Sequence, residues 1–168
     1  DTSMTRQYSL PPESNFLITK KFKLHYIQKG TGAPLILLHG GGTWLYSFRH
    51  NICELSKNFS VYAFDIPGHG YTESLSTPID YNFDIICESL TEFMDKMKIK
   101  KAHIAGHSWG GGWAVHFAAH NPMRVDKLIL IDSSGINYHE RLIWEMMKYP
   151  VIGDIMLRFL SRYAIKKG

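Results

Sequence analysis

The strongest constraint on how this chain folds is the segment at residues 102–120, where an apolar run turns directly into glycines and small residues. Residues 102–106 are typical of a short buried strand and residues 109–120 of a helix, and the junction at 106–110 reads Gly-His-Ser-Trp-Gly. The junction needs its glycines because a strand-to-helix turn this tight leaves no room for side chains there. The pattern predicts that Ser108 has a strained backbone and presents its hydroxyl at the carboxyl end of a sheet.

Two interpretations of Ser108 fit the junction alone. The residue precedes a helix N-terminus, where backbone N–H groups and the helix dipole favour an anion, so Ser108 fits a catalytic nucleophile. In the alternative interpretation the serine is only the N-cap of a glycine-rich turn. A second glycine-rich loop in the chain favours the nucleophile.

That second loop follows an apolar strand predicted at residues 35–38 and reads His-Gly-Gly-Gly at 39–42. A hydroxyl that attacks a carbonyl creates an oxyanion, which needs two hydrogen-bond donors already in place. We expect those donors to be the backbone N–H groups of Trp109 and Gly41, with Gly42 as the second choice for the latter. A phosphate-binding loop is the alternative, but the segment has no Gly-Lys-Ser/Thr and its spacing is not Gly-x-Gly-x-x-Gly.

Apolar runs of strand length alternate with helical periodicity along the first 135 residues. This alternation predicts a doubly wound, mostly parallel α/β sheet with helices on both faces. The first two strands, joined by a tight turn at Lys20 and Lys21, add an antiparallel edge. The predicted strands are 16–18, 22–27 (with polar residues on one face), 35–38, 61–66, 102–106 and 128–131, and the predicted helices are 46–57, 81–97 and 109–120.

The character of the chain changes after Gly135, which divides it into residues 1–135 and residues 136–168. The second part shows two helical segments broken at Pro150, with apolar residues on one face and basic residues opposite. We interpret residues 136–168 as the start of a helical cap over the site. A pair of ordinary surface helices packed on the sheet is the alternative.

Composition and charge exclude several classes of function. Hydrophobic residues make up 45% and charged residues 20% of the chain, as in ordinary globular domains. The net charge of +4 lies in short lysine groups without an arginine-rich stripe, so no nucleic-acid partner is expected. No apolar run is long enough to span a membrane and no secretory signal is visible, so a cytoplasmic location is expected. Cys53 and Cys87 have no metal-ligand spacing and are expected to be buried thiols.

These segments together resemble the α/β-hydrolase superfamily over residues 16–168. The resemblance is carried by residues 39–42, residues 65–70 (Asp-Ile-Pro-Gly-His-Gly), residues 106–111 and the strand that ends at Asp132. Most similar are the small capped members that include meta-cleavage-product (carbon–carbon) hydrolases, esterases and haloperoxidase-like enzymes. The resemblance implies a serine hydrolase that forms an acyl-enzyme from a small, fairly apolar ester or carbonyl substrate, without cofactor or metal. Related dehalogenases and epoxide hydrolases use Asp at the elbow, whereas Ser108 favours acyl transfer.

The resemblance also implies which residues surround the serine. Gly42, Trp44 and His107 are expected to contact the substrate, and Trp109 to help wall an apolar pocket. Core packing is expected for the aromatic residues Phe48 and Trp113. A structural role is expected for His39 and His69, the histidines of the two glycine-rich loops that follow strands.

A complete triad needs an acid and a histidine base after the serine, in the order Ser, Asp or Glu, His. Asp132, at the end of the last predicted strand, is the candidate acid. None of the nine histidines stands at the expected place, so none is assigned as the base. We therefore expect the chain to be the front portion of a longer enzyme, truncated after the sixth predicted strand and part of the cap.

The last predicted strand would then be an exposed parallel edge, which tends to pair or aggregate. The expected partners are a small-molecule substrate and, on that edge, either a second copy of the chain or a missing C-terminal segment. The absent base also motivates a different class of function. In that alternative the chain is a non-catalytic, ligand-binding or receptor-like scaffold, or an inert truncated fragment.

Overall fold

The computed structural model describes residues 10–76 and 81–134, so the predicted cap at 136–168 lies outside the described residues. The strands of the described part are β1 (Ser14–Ile18), β2 (Phe22–Lys29), β3 (Ala33–Leu38), β4 (Phe59–Phe64), β5 (Glu73–Ser74), β6 (Ala102–His107) and β7 (Val125–Ile131). Its α-helices are α1 (Arg49–Leu55), α2 (Phe83–Lys96) and α3 (Trp109–His120), with short 3₁₀ turns at Leu45–Phe48 and Pro122–Arg124.

The strands form one mixed sheet in the order β1-β2-β4-β3-β6-β7. Strand β3 pairs in parallel with β4 and with β6, and β6 pairs in parallel with β7. Strands β1 and β2 form the predicted antiparallel edge. The two-residue β5 was not predicted. It pairs with the first residues of β2, whereas β4 pairs with the last residues of β2, so β5 and β4 lie one after the other along the same side of β2. The predicted doubly wound, mostly parallel α/β sheet is confirmed.

Helices cover both faces of the sheet because consecutive residues of a strand point to opposite sides. In β3, Ile36 and Leu38 belong to the core cluster that includes α2 and α3, whereas Leu35 and Leu37 belong to the cluster that includes α1. The same alternation splits β4 between the two clusters. Central strands buried on both faces read as continuous apolar runs, which is why these strands were visible in the sequence.

The connection from β4 to β6 passes over β3, so the strand order reverses there. In doubly wound sheets, ligands bind in the crevice outside the carboxyl ends of the strands at such a reversal. The ends of β3 and β6 lie side by side, with Leu38 paired to Gly106. The two glycine-rich loops singled out in the sequence therefore leave the sheet at the same place.

Helix α2 begins after an N-cap residue, two residues later than the predicted start at residue 81. The side chain of Asn82 accepts a hydrogen bond from the Ile85 N–H at 3.0 Å, Asp84 stands in the first turn and Lys96 in the last. The buried face of the helix packs into the larger core cluster through Ile86, Leu90, Phe93 and Met94. Within residues 10–76 and 81–134, none of the helices has the length and hydrophobicity that crossing a membrane requires.

Two expectations about single residues were wrong. The predicted polar face of β2 is interrupted by His25, which is fully buried because it has polar partners inside the fold. Cys53 is exposed on α1, and only Cys87 is buried. Strand β7 is the last strand of the sheet in the described residues, and its side chains from Leu128 to Ile131 are between 38% and 47% exposed.

Candidate active site

Ser108 joins β6 to α3 with φ 53° and ψ −121°, a left-handed backbone that non-glycine residues rarely adopt. Its N–H donates to the Ile131 carbonyl at 3.0 Å, and its carbonyl accepts from the Gly111 N–H at 2.9 Å and the Ser134 N–H at 3.1 Å. These three bonds to β7, α3 and the segment after β7 hold the strained residue in place. The Ser108 side chain makes no capping hydrogen bond, which removes the contact on which the N-cap interpretation depends.

The glycines of the junction are required by close backbone contacts. A Cβ built on Gly106 would stand 2.6 Å from the Gly111 Cα. A Cβ built on Gly110 would stand 2.5 Å from the His39 carbonyl oxygen. The first turn of α3 therefore rests directly on the end of β3 and on the loop that follows it.

The His-Gly-Gly-Gly loop lies against the elbow. A Cβ on Gly40 would stand 3.2 Å from the Ser108 Cβ and 3.3 Å from Nδ1 of His107, and a Cβ on Gly41 would stand 2.6 Å from Cε3 of Trp109. The structure thus brings together the serine and the two residues predicted to donate to an oxyanion. Gly42 is the outlying member: it is exposed, has φ +69°, and an added Cβ would meet no atom within 4 Å.

The loop is fastened by the turn after β4. His39 Nδ1 lies 2.8 Å from the Gly40 carbonyl oxygen, and the Ile66 N–H donates to His39 Nε2 at 3.0 Å. Further along the loop, the Leu45 N–H donates to Oδ1 of Asp65 at 2.7 Å. Burial lowers the pKa of His39 to about 4, so the ring is neutral at pH 7. The structural role expected for His39 agrees with these contacts.

A buried polar chain that the sequence analysis missed supports the same region. The Ser14 hydroxyl lies 2.8 Å from His25 Nε2, and His25 Nδ1 lies 2.8 Å from Oδ2 of Asp65. That oxygen also accepts from the Tyr71 N–H at 2.8 Å. The usable signal was a histidine inside an apolar strand and an aspartate at the end of another, since buried polar groups require partners.

The aromatic residues divide into surface and core. Trp109 is 43% exposed, and its ring meets the Trp113 ring edge-on with centroids 6.3 Å apart. Phe48 and Trp113 are buried, as expected for core residues. Trp44 is half-buried and packs on other aromatic rings after the loop: Tyr46 at 5.2 Å, Tyr71 at 5.4 Å and His25 at 6.5 Å between centroids.

Asp132 follows β7 and is exposed, with φ +44°. It lies one residue beyond Ile131, which accepts from the Ser108 N–H, so the candidate acid and the serine belong to neighbouring strand ends. The next residue, Ser133, packs on α3, since a Cβ on Gly111 would stand 2.6 Å from the Ser133 Cβ. No local pattern in the sequence marks Ser133 as a neighbour of α3.

No histidine in the described ranges forms a hydrogen bond with the Ser108 hydroxyl. His25 and His39 are fully buried in their own networks, and His116 and His120 lie on α3 with partners at Asp84 and the His116 carbonyl. His107 is exposed beside the loop. His139 lies outside the described residues. The described residues also contain no group of three or more His, Cys, Asp or Glu side chains that could hold a metal ion.

Comparison with known proteins identifies the family. Residues 33–159 match the family model described as the alpha/beta hydrolase fold. The 2-hydroxymuconate semialdehyde hydrolase of Pseudomonas sp. (strain CF600) is 31% identical over 140 residues, covering 80% of this chain and 48% of that protein. The soluble epoxide hydrolase of Corynebacterium sp. (strain C12) is 33% identical over 111 residues, covering 66% and 38%.

A solved structure agrees with this result. A mutant of the meta-cleavage product hydrolase from Pseudomonas fluorescens IP01, complexed with acetates, superimposes with a TM-score of 0.70 at 31% identity. That match covers 79% of this chain and 52% of the other. The chain thus spans about half the length, or less, of these relatives. Because the family model matches most of the residues of this chain, the chain belongs to the α/β-hydrolase fold family.

Proposed function

We propose that the protein is a serine hydrolase in which Ser108 attacks the carbonyl of a small, fairly apolar ester or carbonyl substrate. The observation that carries the proposal is the contact between the two glycine-rich loops. A Cβ on Gly40 would meet the Ser108 Cβ and a Cβ on Gly41 would meet the Trp109 ring, so the loop proposed to supply one backbone donor lies against the elbow proposed to supply the other. A strained serine with such neighbours matches the nucleophile elbow of this fold.

In the proposed reaction the Ser108 Oγ bonds to the carbonyl carbon and its proton passes to a general base. The carbonyl oxygen becomes an oxyanion that accepts from the N–H groups of Trp109 and Gly41. Collapse expels the leaving group, which takes the proton from the base and leaves an acyl-enzyme; water then releases the acid by the same steps. The base of this proposal is a histidine outside the described ranges, and Asp132 is the candidate acid that orients it.

The substrate class follows from the nucleophile and its surroundings. Serine at the elbow favours acyl transfer over the ester formation from alkyl carbon that an aspartate performs. The relatives named as a 2-hydroxymuconate semialdehyde hydrolase and a meta-cleavage product hydrolase support a carbonyl substrate with a scissile carbon–carbon bond. The exposed ring of Trp109 supplies an apolar surface beside the serine. Ester and carbon–carbon cleavage both remain within the proposal.

A fluorophosphonate probe applied to the full-length protein tests the role of Ser108. We expect one equivalent of covalent label, located by peptide mass spectrometry at Ser108 and absent from the Ser108→Ala variant. The matched control is Ser56→Ala, which removes a hydroxyl bonded to the Cys53 carbonyl at the end of α1 and should label fully. An unlabelled wild-type protein, or label that survives Ser108→Ala, would contradict the proposal.

A second candidate function is a non-catalytic ligand-binding scaffold or an inert fragment. It is favoured by one observation, that no described histidine reaches the Ser108 hydroxyl. A full-length protein that binds a non-hydrolysable ester analogue, measured by calorimetry, but shows neither turnover nor labelling would support the scaffold. Steady ester turnover by the 168-residue chain, abolished by Ser108→Ala, would refute the inert fragment.

A further inference from the structure

The plane of the Gly40–Gly41 peptide is fixed from its carbonyl side. The Gly40 oxygen lies 2.8 Å from His39 Nδ1, 2.8 Å from the Thr43 hydroxyl and 3.3 Å from the Thr43 N–H. In a trans peptide the C=O and the following N–H point in opposite directions, so donors that hold the oxygen also set the direction of the Gly41 N–H. Within residues 10–76 and 81–134, that N–H has no hydrogen-bond partner.

The partners of His39 allow only one form of the ring. The Ile66 N–H can only donate, so Nε2 must carry a lone pair. The Gly40 carbonyl can only accept, so Nδ1 must carry the proton. An imidazolium would leave the Ile66 N–H without an acceptor inside the core, where an unpaired donor is costly. The ring is fully buried between the loop and the turn after β4.

We infer that His39 is a positioning residue: as a neutral imidazole protonated on Nδ1, it links Ile66 to the Gly40 carbonyl and thereby directs the Gly41 N–H at the oxyanion. The inference rests on the proposed function, since it assigns a role in the same reaction. His39 does not touch the substrate; it acts through one peptide bond.

The charged groups around His39 are compatible with a neutral ring. The His69 ring stands edge-on to it at 5.1 Å, and protonation of His69 would disfavour a second positive charge. Asp65 favours the charged form, but its carboxylate is already engaged by His25 and by the N–H groups of Leu45 and Tyr71. Desolvation outweighs this attraction.

The first test reads the ring without any activity. In protein labelled with ¹⁵N-histidine, NMR should show His39 protonated on Nδ1 and bare on Nε2, with no titration between pH 5 and pH 9. Hydrogen exchange should show the Ile66 amide protected in the wild type and faster in His39→Ala. A ring protonated on Nε2, or one that titrates like an exposed histidine, would overturn the inference even if the enzyme is active.

The second test uses kinetics of the full-length protein on an ester substrate. Loss of one oxyanion donor lowers kcat by about 10²- to 10³-fold, so a misdirected donor in His39→Ala should lower it by about 10- to 100-fold with KM nearly unchanged. His39→Gln should recover much of the loss, because its amide supplies one donor and one acceptor. Thr43→Val, which removes the other side-chain donor to the same oxygen, should show a smaller loss in kcat.

The outcomes separate the two proposals. If the wild type is labelled at Ser108 but folded His39→Ala keeps the wild-type kcat, only the role of His39 fails. If His39→Ala lowers stability and kcat but His39→Gln restores only stability, the positioning role also fails. If the wild type neither labels nor turns over, the proposed function fails and the positioning role of His39 with it, whatever the NMR result.

Discussion

The contact between α3 and β3 provides a sharp test of the fold around Ser108. We predict that Gly110→Ala strongly destabilises the protein, whereas Gly112→Ala, one half-turn along the same helix, does not. A Cβ at position 110 would stand 2.5 Å from the His39 carbonyl oxygen, about 0.9 Å short of the 3.4 Å at which ordinary contact begins. Because the opposing atoms are backbone, no side-chain rotation can relieve the clash, and α3 must move away from the sheet.

The magnitude follows from two opposing effects. Overpacking of a tight interface costs about 1–3 kcal/mol, occasionally more, and replacing a helical glycine by alanine returns at most about 1 kcal/mol. Gly110→Ala should therefore lose about 2 kcal/mol of stability. At position 112 the nearest atom to an added Cβ is the Ser134 carbonyl oxygen at 3.3 Å, so the two effects nearly cancel and the variant should stay within about 1 kcal/mol of wild type.

Urea unfolding followed by tryptophan fluorescence measures the difference. With an m-value of about 2 kcal/mol/M, Gly110→Ala should unfold at a urea concentration about 1 M lower than wild type. The variant should also react more slowly with a fluorophosphonate, because α3 carries the Trp109 N–H. Equal midpoints for Gly110→Ala and Gly112→Ala would refute the close packing of α3 on the end of β3.

Three further predictions concern buried and exposed polar groups. Asp65→Ala should lose about 3–5 kcal/mol in urea unfolding, because His25 and two N–H groups lose a buried partner, whereas Asp95→Ala at the surface should lose less than about 1 kcal/mol. Because burial lowers the pKa of His39 from 6.5 to about 4, folding favours its neutral form. The free energy of unfolding should therefore be unaffected by this ring above pH 6.5 and should fall by about 3 kcal/mol as the pH drops from 6.5 to 4, because the unfolded chain takes up the proton first. His39→Gln should flatten the pH dependence of the unfolding free energy between these two pH values. A thiol reagent should modify one cysteine of the native protein, Cys53, because Cys87 is buried and its pKa is raised to about 12; modification of both before unfolding would contradict the structure.

The bounds of the elements show why the sequence predicted most of the fold. The predicted helix at 109–120 coincides with α3, because it begins at the glycine-rich junction and ends before Pro122. Strands β3 and β4 were found within two residues, since strands buried on both faces form largely apolar runs, and β6 was found because it leads into the glycine-rich junction. The two-residue β5 was missed because so short a pairing leaves no periodicity in the sequence.

The candidate site divides in the same way. Ser108, Gly41 and Trp109 were identified from local patterns, since a tight turn and a close backbone approach each demand glycine at fixed positions. The roles of His25 and Asp65 were not identified, because their hydrogen bonds join residues 40 positions apart in the chain. Nor did the expectation that Cys53 is buried hold, because Cys53 lies beside the apolar stripe of α1 that packs on the sheet through Ile52, and not on it.

The sequence by itself determined the family, the alternation of strands and helices, and the serine at the junction, because all three depend on neighbours along the chain. The tertiary structure decided which loops meet. Only the passage of the chain over β3 places the His-Gly-Gly-Gly loop beside Ser108. Only the buried contact with Ile66 selects the tautomer of His39 and fixes the peptide that ends in the Gly41 N–H, since a hydrogen bond between distant segments exists only after the sheet has formed.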